Sequence, residues 1–228
     1  MRSIEGSKAL VLSSGGKDSI LALHKAWHVG LRIDGIITML PEDPESMLYH
    51  THNVEHVEKI ADCIGIEWYG FKARKKEEEL SLERALKKLD AEVLVSGGIS
   101  SKYQKDRFDK VSESANMRHF SPLWGMRPYD VLKEVLSMKM DVMIVAVAAY
   151  GLDEKWLGKH LTEESVGELL ELSKKHHFDL VGEGGDIETF VLDAPLYKKR
   201  LIPLKVIKRW EKDSGALKIR DLMVVDKG

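Results

Sequence analysis

The feature that most constrains this chain is an alternation. Short apolar runs take turns with segments whose apolar residues recur at helical spacing, from Ala9 to about Asn116. "ALVL", "RIDGIITML", "IEWYGFK" and "AEVLVSGG" read as strands, and the segments near 20–26, 53–64, 77–89 and 105–116 read as helices. A parallel neighbour can be reached only through a crossover, so strand and helix in strict turn predict a parallel sheet covered on both faces. Such sheets bind ligands beyond the carboxyl ends of their strands. Two glycine pairs, Gly15 with Gly16 and Gly97 with Gly98, fall at such ends and can line one crevice.

Beyond "FSPLWGMRP" the texture changes. A helix over about 129–138, the strand-like "DVMIVAVA", a helix over 163–177 and a strand near "TFVLDAPL" follow. "KRLIPLKVIKRW" and "LKIRDLMVVD" flank "EKDSGA" and predict an antiparallel hairpin. The expected organisation is therefore α/β: a Rossmann-like doubly wound parallel domain over 1–124 and a smaller α+β domain over 125–228.

Within "ALVLSSGGKDSILALHKA" the turn between strand and helix occupies residues 13–19. Glycines let the backbone bend there and let another group come close. The helix begins with unpaired N–H groups and the positive end of its dipole, a setting that favours an anion such as phosphate. The string is not the P-loop pattern, which requires G-x-x-x-x-G-K followed by Ser or Thr. A capped turn with no ligand is the plainer alternative.

Composition narrows the function classes. The chain has 228 residues, 43% hydrophobic, which supports a real core, and charges that nearly cancel to −2. That balance argues against a general nucleic-acid or membrane binder. The start lacks a signal-peptide core, and the apolar run "VMIVAVAAYGL" is too short to span a bilayer, so a cytoplasmic location is expected. One cysteine, Cys63, excludes an internal disulfide and reads as a small core residue. His52 and His56 form an i,i+4 pair with His50 nearby, but no cysteine or carboxylate completes an obvious metal set.

Three stretches carry a resemblance. "SGGKDS" at 14–19 resembles SGGxDS, the signature of PP-loop ATP pyrophosphatases, whose turn holds the pyrophosphate part of ATP. "GGISSKYQKDR" at 97–107 resembles the GAIxSxYQxxR segment of one PP-loop branch, the diphthine:ammonia ligases, with Gly98 in place of alanine. "GEGGDIETFVLDAPLY" at 182–197 resembles that branch's GEGGE(Y/F)ETxxLDxP(L/F) block, with Asp186 for Glu and Ile187 for an aromatic. "YHTHN", "SPLWG" and "YGLDEKWLG" add weaker matches, with His52 replacing a proline.

The resemblance implies a set of roles. Ser13, Ser14, Gly15, Gly16, Lys17, Asp18, Ser19, Gly97, Gly98 and Ile99 would bind ATP. Lys17 would act as a mobile charge for the leaving pyrophosphate, and Asp18 would cap the helix or hold Mg2+. Tyr103, Gln104, Arg107, Glu183, Gly184, Gly185, Asp186, Glu188 and Thr189 would meet the substrate. Lys17, Asp18, Glu183 and Glu188 would be catalytic. Four carboxylates in one short span (Glu183, Asp186, Glu188, Asp193) would repel unless a cation sits among them, with Trp124 or Tyr197 as aromatic faces. The implied reaction is amidation of the diphthine carboxylate on elongation factor 2 by ammonia, through an acyl-adenylate, with release of pyrophosphate and AMP. The alternatives are a PP-loop enzyme that thiolates or amidates a tRNA base, and a nucleotide sensor without catalysis.

Overall fold

A computed structural model describes residues 4–43, 46, 48–49, 51–182 and 185–227. The first half alternates as the sequence pattern requires: β1 (Lys8–Leu12), α1 (Lys17–His28), β2 (Arg32–Pro41), α2 (Val57–Ile64), β3 (Glu67–Ala73), α3 (Glu78–Leu86), β4 (Val93–Val95), α4 (Lys102–Ser114) and β5 (Arg118–Phe120). All five strands are parallel, in the order β3-β2-β1-β4-β5. The chain winds outward from β1 to β3, then returns to the other side of β1 for β4 and β5. The strand order therefore reverses between β1 and β4, and a crevice opens beyond their carboxyl ends.

Burial follows the two-residue period of a strand. Ala9 and Val11 join one core with α1 and α2, while Leu10 and Leu12 join another with α3 and α4. Covering both faces is what permits near-continuous apolar strands such as "ALVL".

The second half comprises α5 (Pro128–Ser137), β6 (Asp141–Val147), α6 (Glu163–His176), β7 (Ile187–Asp193), β8 (Lys199–Glu211) and β9 (Ser214–Asp226). Its four strands are antiparallel, in the order β7-β6-β9-β8. Pro128 starts α5, where a missing N–H costs nothing. Thr162 and Ser165 cap α6 reciprocally. The core on the α1 side of the parallel sheet continues through α5 into Val142, Ile144, Phe190 and Val191 of the second sheet. The two halves thus share apolar interior. Among the described residues, no helix is long and apolar enough to cross a membrane.

Two details depart from the sequence pattern. The hairpin turn is tighter than "EKDSGA" suggests, because Glu211 lies opposite Ser214 and only Lys212 and Asp213 form the loop, Lys212 at φ 56°. Cross-strand pairing extends as far as a two-residue loop allows. The edge strand β5 has no counterpart in the apolar pattern, since only Phe120 of "RHF" is strongly apolar.

Candidate active site

Residues 13–19 leave the end of β1 and enter α1. The Ser13 N–H donates to the Ile37 carbonyl at 3.0 Å, which fixes the start of the turn to β2. The Ser13 hydroxyl then accepts from the Gly15 N–H at 3.0 Å and lies 2.7 Å from the Ser19 hydroxyl, which donates to the Gly16 carbonyl at 3.0 Å. Ser13 and Ser19 therefore brace the turn. Gly15 has φ +83°, and a Cβ there would stand 2.8 Å from the Phe190 ring. Gly16 caps α1 without any side-chain hydrogen bond.

The second glycine turn, 96–99, presses against the first. A Cβ on Gly97 would lie 2.6 Å from the Asp18 carbonyl carbon and 2.7 Å from the Ser19 nitrogen. Only glycine permits this approach. Gly98 is different: a Cβ there meets only the Ser121 and Ser96 hydroxyl oxygens, at 3.6 and 4.0 Å, ordinary contacts. The site therefore has room for the alanine of the GAIxS pattern at 98 and none at 97.

Both turns line one cleft of about 820 Å³, open mouth included. Leu12, Met39, Tyr49 and Phe108 supply its apolar wall, Gln104 reaches it from α4, and Gly182, Ile187 and Thr189 close it from the second half. The Thr189 hydroxyl accepts from the Lys17 N–H at 3.1 Å, and the Val191 N–H donates to the Gly15 carbonyl at 2.9 Å. The Gly15 and Lys17 amides are therefore already engaged within the protein.

Several expected roles require correction. Lys17 is not a mobile charge: it is 2% exposed, and its ammonium donates to the Val181 carbonyl at 2.5 Å and meets the Asp18 carboxylate at 3.0 Å. It acts as a strut between the two halves. Tyr103 and Arg107 lie outside the cleft, where the guanidinium stacks 3.4 Å over the tyrosine ring and pairs with Glu79 at 2.6 Å. Helix geometry explains the outcome, since 103 and 107 share a face one turn apart while Gln104 occupies the adjoining one. Tyr197 is 2% exposed within the core and offers no face to a ligand.

The acidic block divides in the same way. Glu183 and Gly184 lie outside the described residues. Asp186 accepts from the Asp179 N–H at 3.0 Å, and Asp193 pairs with Lys227 at 2.5 Å. Glu188 does not face the glycine turn: the pleat of β7 sends Ile187 and Thr189 into the cleft and Glu188 to the opposite side. The Glu188 carboxylate pairs there with His52 at 2.9 Å, and this contact raises the imidazole pKa against the opposing effect of burial. These acidic groups thus find separate partners rather than one shared cation.

Glu188, Gly185 and His52 line a second, open cavity of about 1150 Å³, mouth included, with Arg209, Lys218 and Arg220 from the hairpin β8–β9. The segment after β2 therefore serves both cavities, with Tyr49 in the first and His52 in the second. Asn53, which sequence reasoning did not single out, clasps β9. Its side chain donates to the Leu217 carbonyl at 2.9 Å and accepts from the Ile219 N–H at 2.8 Å. Its left-handed φ of 62° suits asparagine better than most residues. Among the described residues, no three of His, Cys, Asp and Glu cluster as a metal site would need.

The fold and cleft define an α/β protein whose glycine turns meet at a topological switch point, roofed by a second, antiparallel sheet. A family model described as diphthamide synthase N-terminal domain matches residues 7–119, and one described as diphthamide synthase C-terminal domain matches 127–225. The chain belongs to the diphthamide synthase family. It is 32% identical over 220 residues to the diphthine--ammonia ligase of Bos taurus, covering 86% of this chain and 82% of that one. The Homo sapiens ligase is 31% identical with the same coverage. The Schizosaccharomyces pombe ligase is 31% identical over 217 residues, which cover 86% of this chain and 36% of that longer protein. A solved 4-thiouridine synthetase–RNA complex with bound ATP matches at 14% identity and a TM-score of 0.39, over 82% of this chain and 55% of that one.

Proposed function

We propose that this chain is an ATP-dependent diphthine:ammonia ligase, acting on diphthine-bearing elongation factor 2. The observation that carries the proposal is the meeting of the 13–19 and 96–99 turns in one cleft, in a chain that belongs to the diphthamide synthase family. A carboxylate is a poor electrophile and its oxygen a poor leaving group, so amidation at neutral pH needs activation. Attack of the substrate carboxylate on the α-phosphorus of ATP supplies it, and pyrophosphate departs. Ammonia then attacks the acyl-adenylate, forming the amide and releasing AMP.

The residues suit these tasks. Ser14, the Gly16 amide and the first turn of α1 receive the outer phosphates, where preorganised donors meet the charge that develops on the leaving group. Leu12, Met39 and Phe108 offer an apolar wall for a purine. The 97–99 turn faces the α-phosphate, and Lys17 keeps the loop and the second sheet in register. A single carboxylate, Asp18, stands at the turn, which fits a Mg2+ ion held chiefly by phosphates and water. That ion would neutralise phosphate charge. Residues 1–124 then handle the nucleotide, while 125–228 roof the cleft, and the acceptor enters through its open mouth.

Incubating the protein with ATP, Mg2+, ammonium and diphthine-bearing elongation factor 2 tests the reading. We expect AMP formation that depends on the factor, and a peptide mass matching the amide. AMP formation driven by tRNA and not by the factor would overturn it in favour of a tRNA-modifying enzyme.

A further inference from the structure

A hydrogen-bonded chain of three side chains leads from the floor of the nucleotide cleft to solvent. Ser96, 2% exposed, directly follows β4 and lines the cleft before Gly97. Its hydroxyl lies 2.7 Å from His119 Nε2, and His119 Nδ1 lies 2.6 Å from Asp109 Oδ1. The imidazole is 3% exposed, whereas the Asp109 side chain is 43% exposed. Three elements hold the arrangement: the backbone register sets Leu94 beside His119, the Ser96 N–H donates to the Phe120 carbonyl at 3.0 Å, and the Phe108 ring of α4 packs edge-on to the imidazole.

The pattern of donors settles the protons. Asp109 is held ionised: burial works to raise its pKa, but hydrogen bonds from Lys105 and His119 outweigh that and lower it. His119 Nδ1–H therefore donates to Asp109, and Nε2 is left to accept the Ser96 O–H. Burial lowers the imidazole pKa, so the ring is neutral at neutral pH and has an available lone pair. Asp109 and Lys105, both on α4, are the charged groups that face His119 among the described residues, and Ser121 completes the polar contacts of Ser96 at 3.2 Å. This is the donor–acceptor order in which a serine, an imidazole and a carboxylate move a proton.

We propose that Ser96, His119 and Asp109 form the relay that removes the proton released when nitrogen attacks the activated carboxylate. The inference rests on the ligase reading above. As ammonia attacks, the C–N bond forms, the C–O bond to AMP breaks, and its electron pair leaves on the AMP phosphate. The nitrogen must shed one proton. It passes to Ser96 Oγ while the Ser96 hydroxyl proton moves to His119 Nε2, and the imidazolium, steadied by Asp109, gives that proton back through Ser96 to water that enters the cleft as the products leave. Ser96 is the group that touches the reacting nitrogen, and His119 and Asp109 act through it.

The test follows amide formation by the full chain with ATP, Mg2+ and diphthine-bearing elongation factor 2, across pH at constant free ammonia. Alongside it, substrate-dependent exchange of pyrophosphate into ATP reports the adenylation step alone. We expect Ser96→Ala and His119→Gln to lower the amide-forming rate about 100-fold, with a much smaller change in exchange. The wild-type rate should rise with pH through the lowered His119 pKa and then level off. That rise should vanish in His119→Gln and move to lower pH in Asp109→Asn, which removes the stabilising anion. Ser96→Ala deletes one hydroxyl, so it guards against a His119 variant that fails to fold. Unchanged amide formation in Ser96→Ala, or an unaltered pH profile in His119→Gln, would overturn the relay. A wild-type protein with neither exchange nor amide formation would instead refute the ligase reading, and the relay with it.

Discussion

The glycine turn at 13–19 and the block at 182–189 carry equally distinctive sequences, yet the fold uses them differently. The turn sits at the end of a central parallel strand, so all of its residues but Gly15 line the crevice. The block runs into β7, whose pleat sends Thr189 and Ile187 to the nucleotide cleft and Glu188 to the second cavity. A loop at a strand end gathers its residues on one site. A strand distributes them between two.

That contrast can be broken first at the turn. Ser14→Ala should reduce AMP formation about 100-fold, the usual cost of one preorganised donor, with little change in melting temperature. Arg107→Ala, which alters only the Tyr103 and Glu79 contacts outside the cleft, should leave turnover within about twofold. Comparable losses in both variants, measured by AMP release, would erase the distinction between cleft and surface.

The next test separates the paired glycines. Gly97→Ala forces backbone apart from backbone and should cost about 2 kcal/mol in denaturant unfolding, together with weaker ATP binding by calorimetry. Gly98→Ala should change either quantity little. A smaller effect is expected at the roof, where Thr189→Val leaves the Lys17 amide without its partner and should cost about 1 kcal/mol.

The smallest effect belongs to the second cavity. Because Glu188 raises the His52 pKa, the pair stabilises the fold fully below the ordinary imidazole value and loses that contribution as pH rises through the raised one. The imidazole is partly exposed, so less than about 1 kcal/mol is at stake. The melting gap between wild type and His52→Gln should be widest in mild acid and close at alkaline pH. A gap that widens with pH would contradict the pairing.

Much of this was legible in the sequence because strand and helix periods are local. The parallel sheet, the crevice and both glycine turns follow from patterns a few residues long. The side-chain directions were not legible in the same way. Lys17 reads as a mobile cation until the segment between α6 and β7 supplies the Val181 carbonyl, and Glu188 reads as a partner of the turn until the strand register turns it away. Ser96, Asp109 and His119 escaped notice for a further reason: they are spread across the turn after β4, helix α4 and strand β5, and β5 is too short and too polar to announce itself. Only the register of neighbouring strands brings them together.

The most direct test is a crystal structure of the protein with a non-hydrolysable ATP analogue. We expect the outer phosphates on Ser14, Gly16 and the first turn of α1, with the α-phosphate beside Gly97 and Ile99. Nucleotide seated instead in the second cavity among Arg209, Lys218 and Arg220, with the glycine cleft empty, would contradict the central claim.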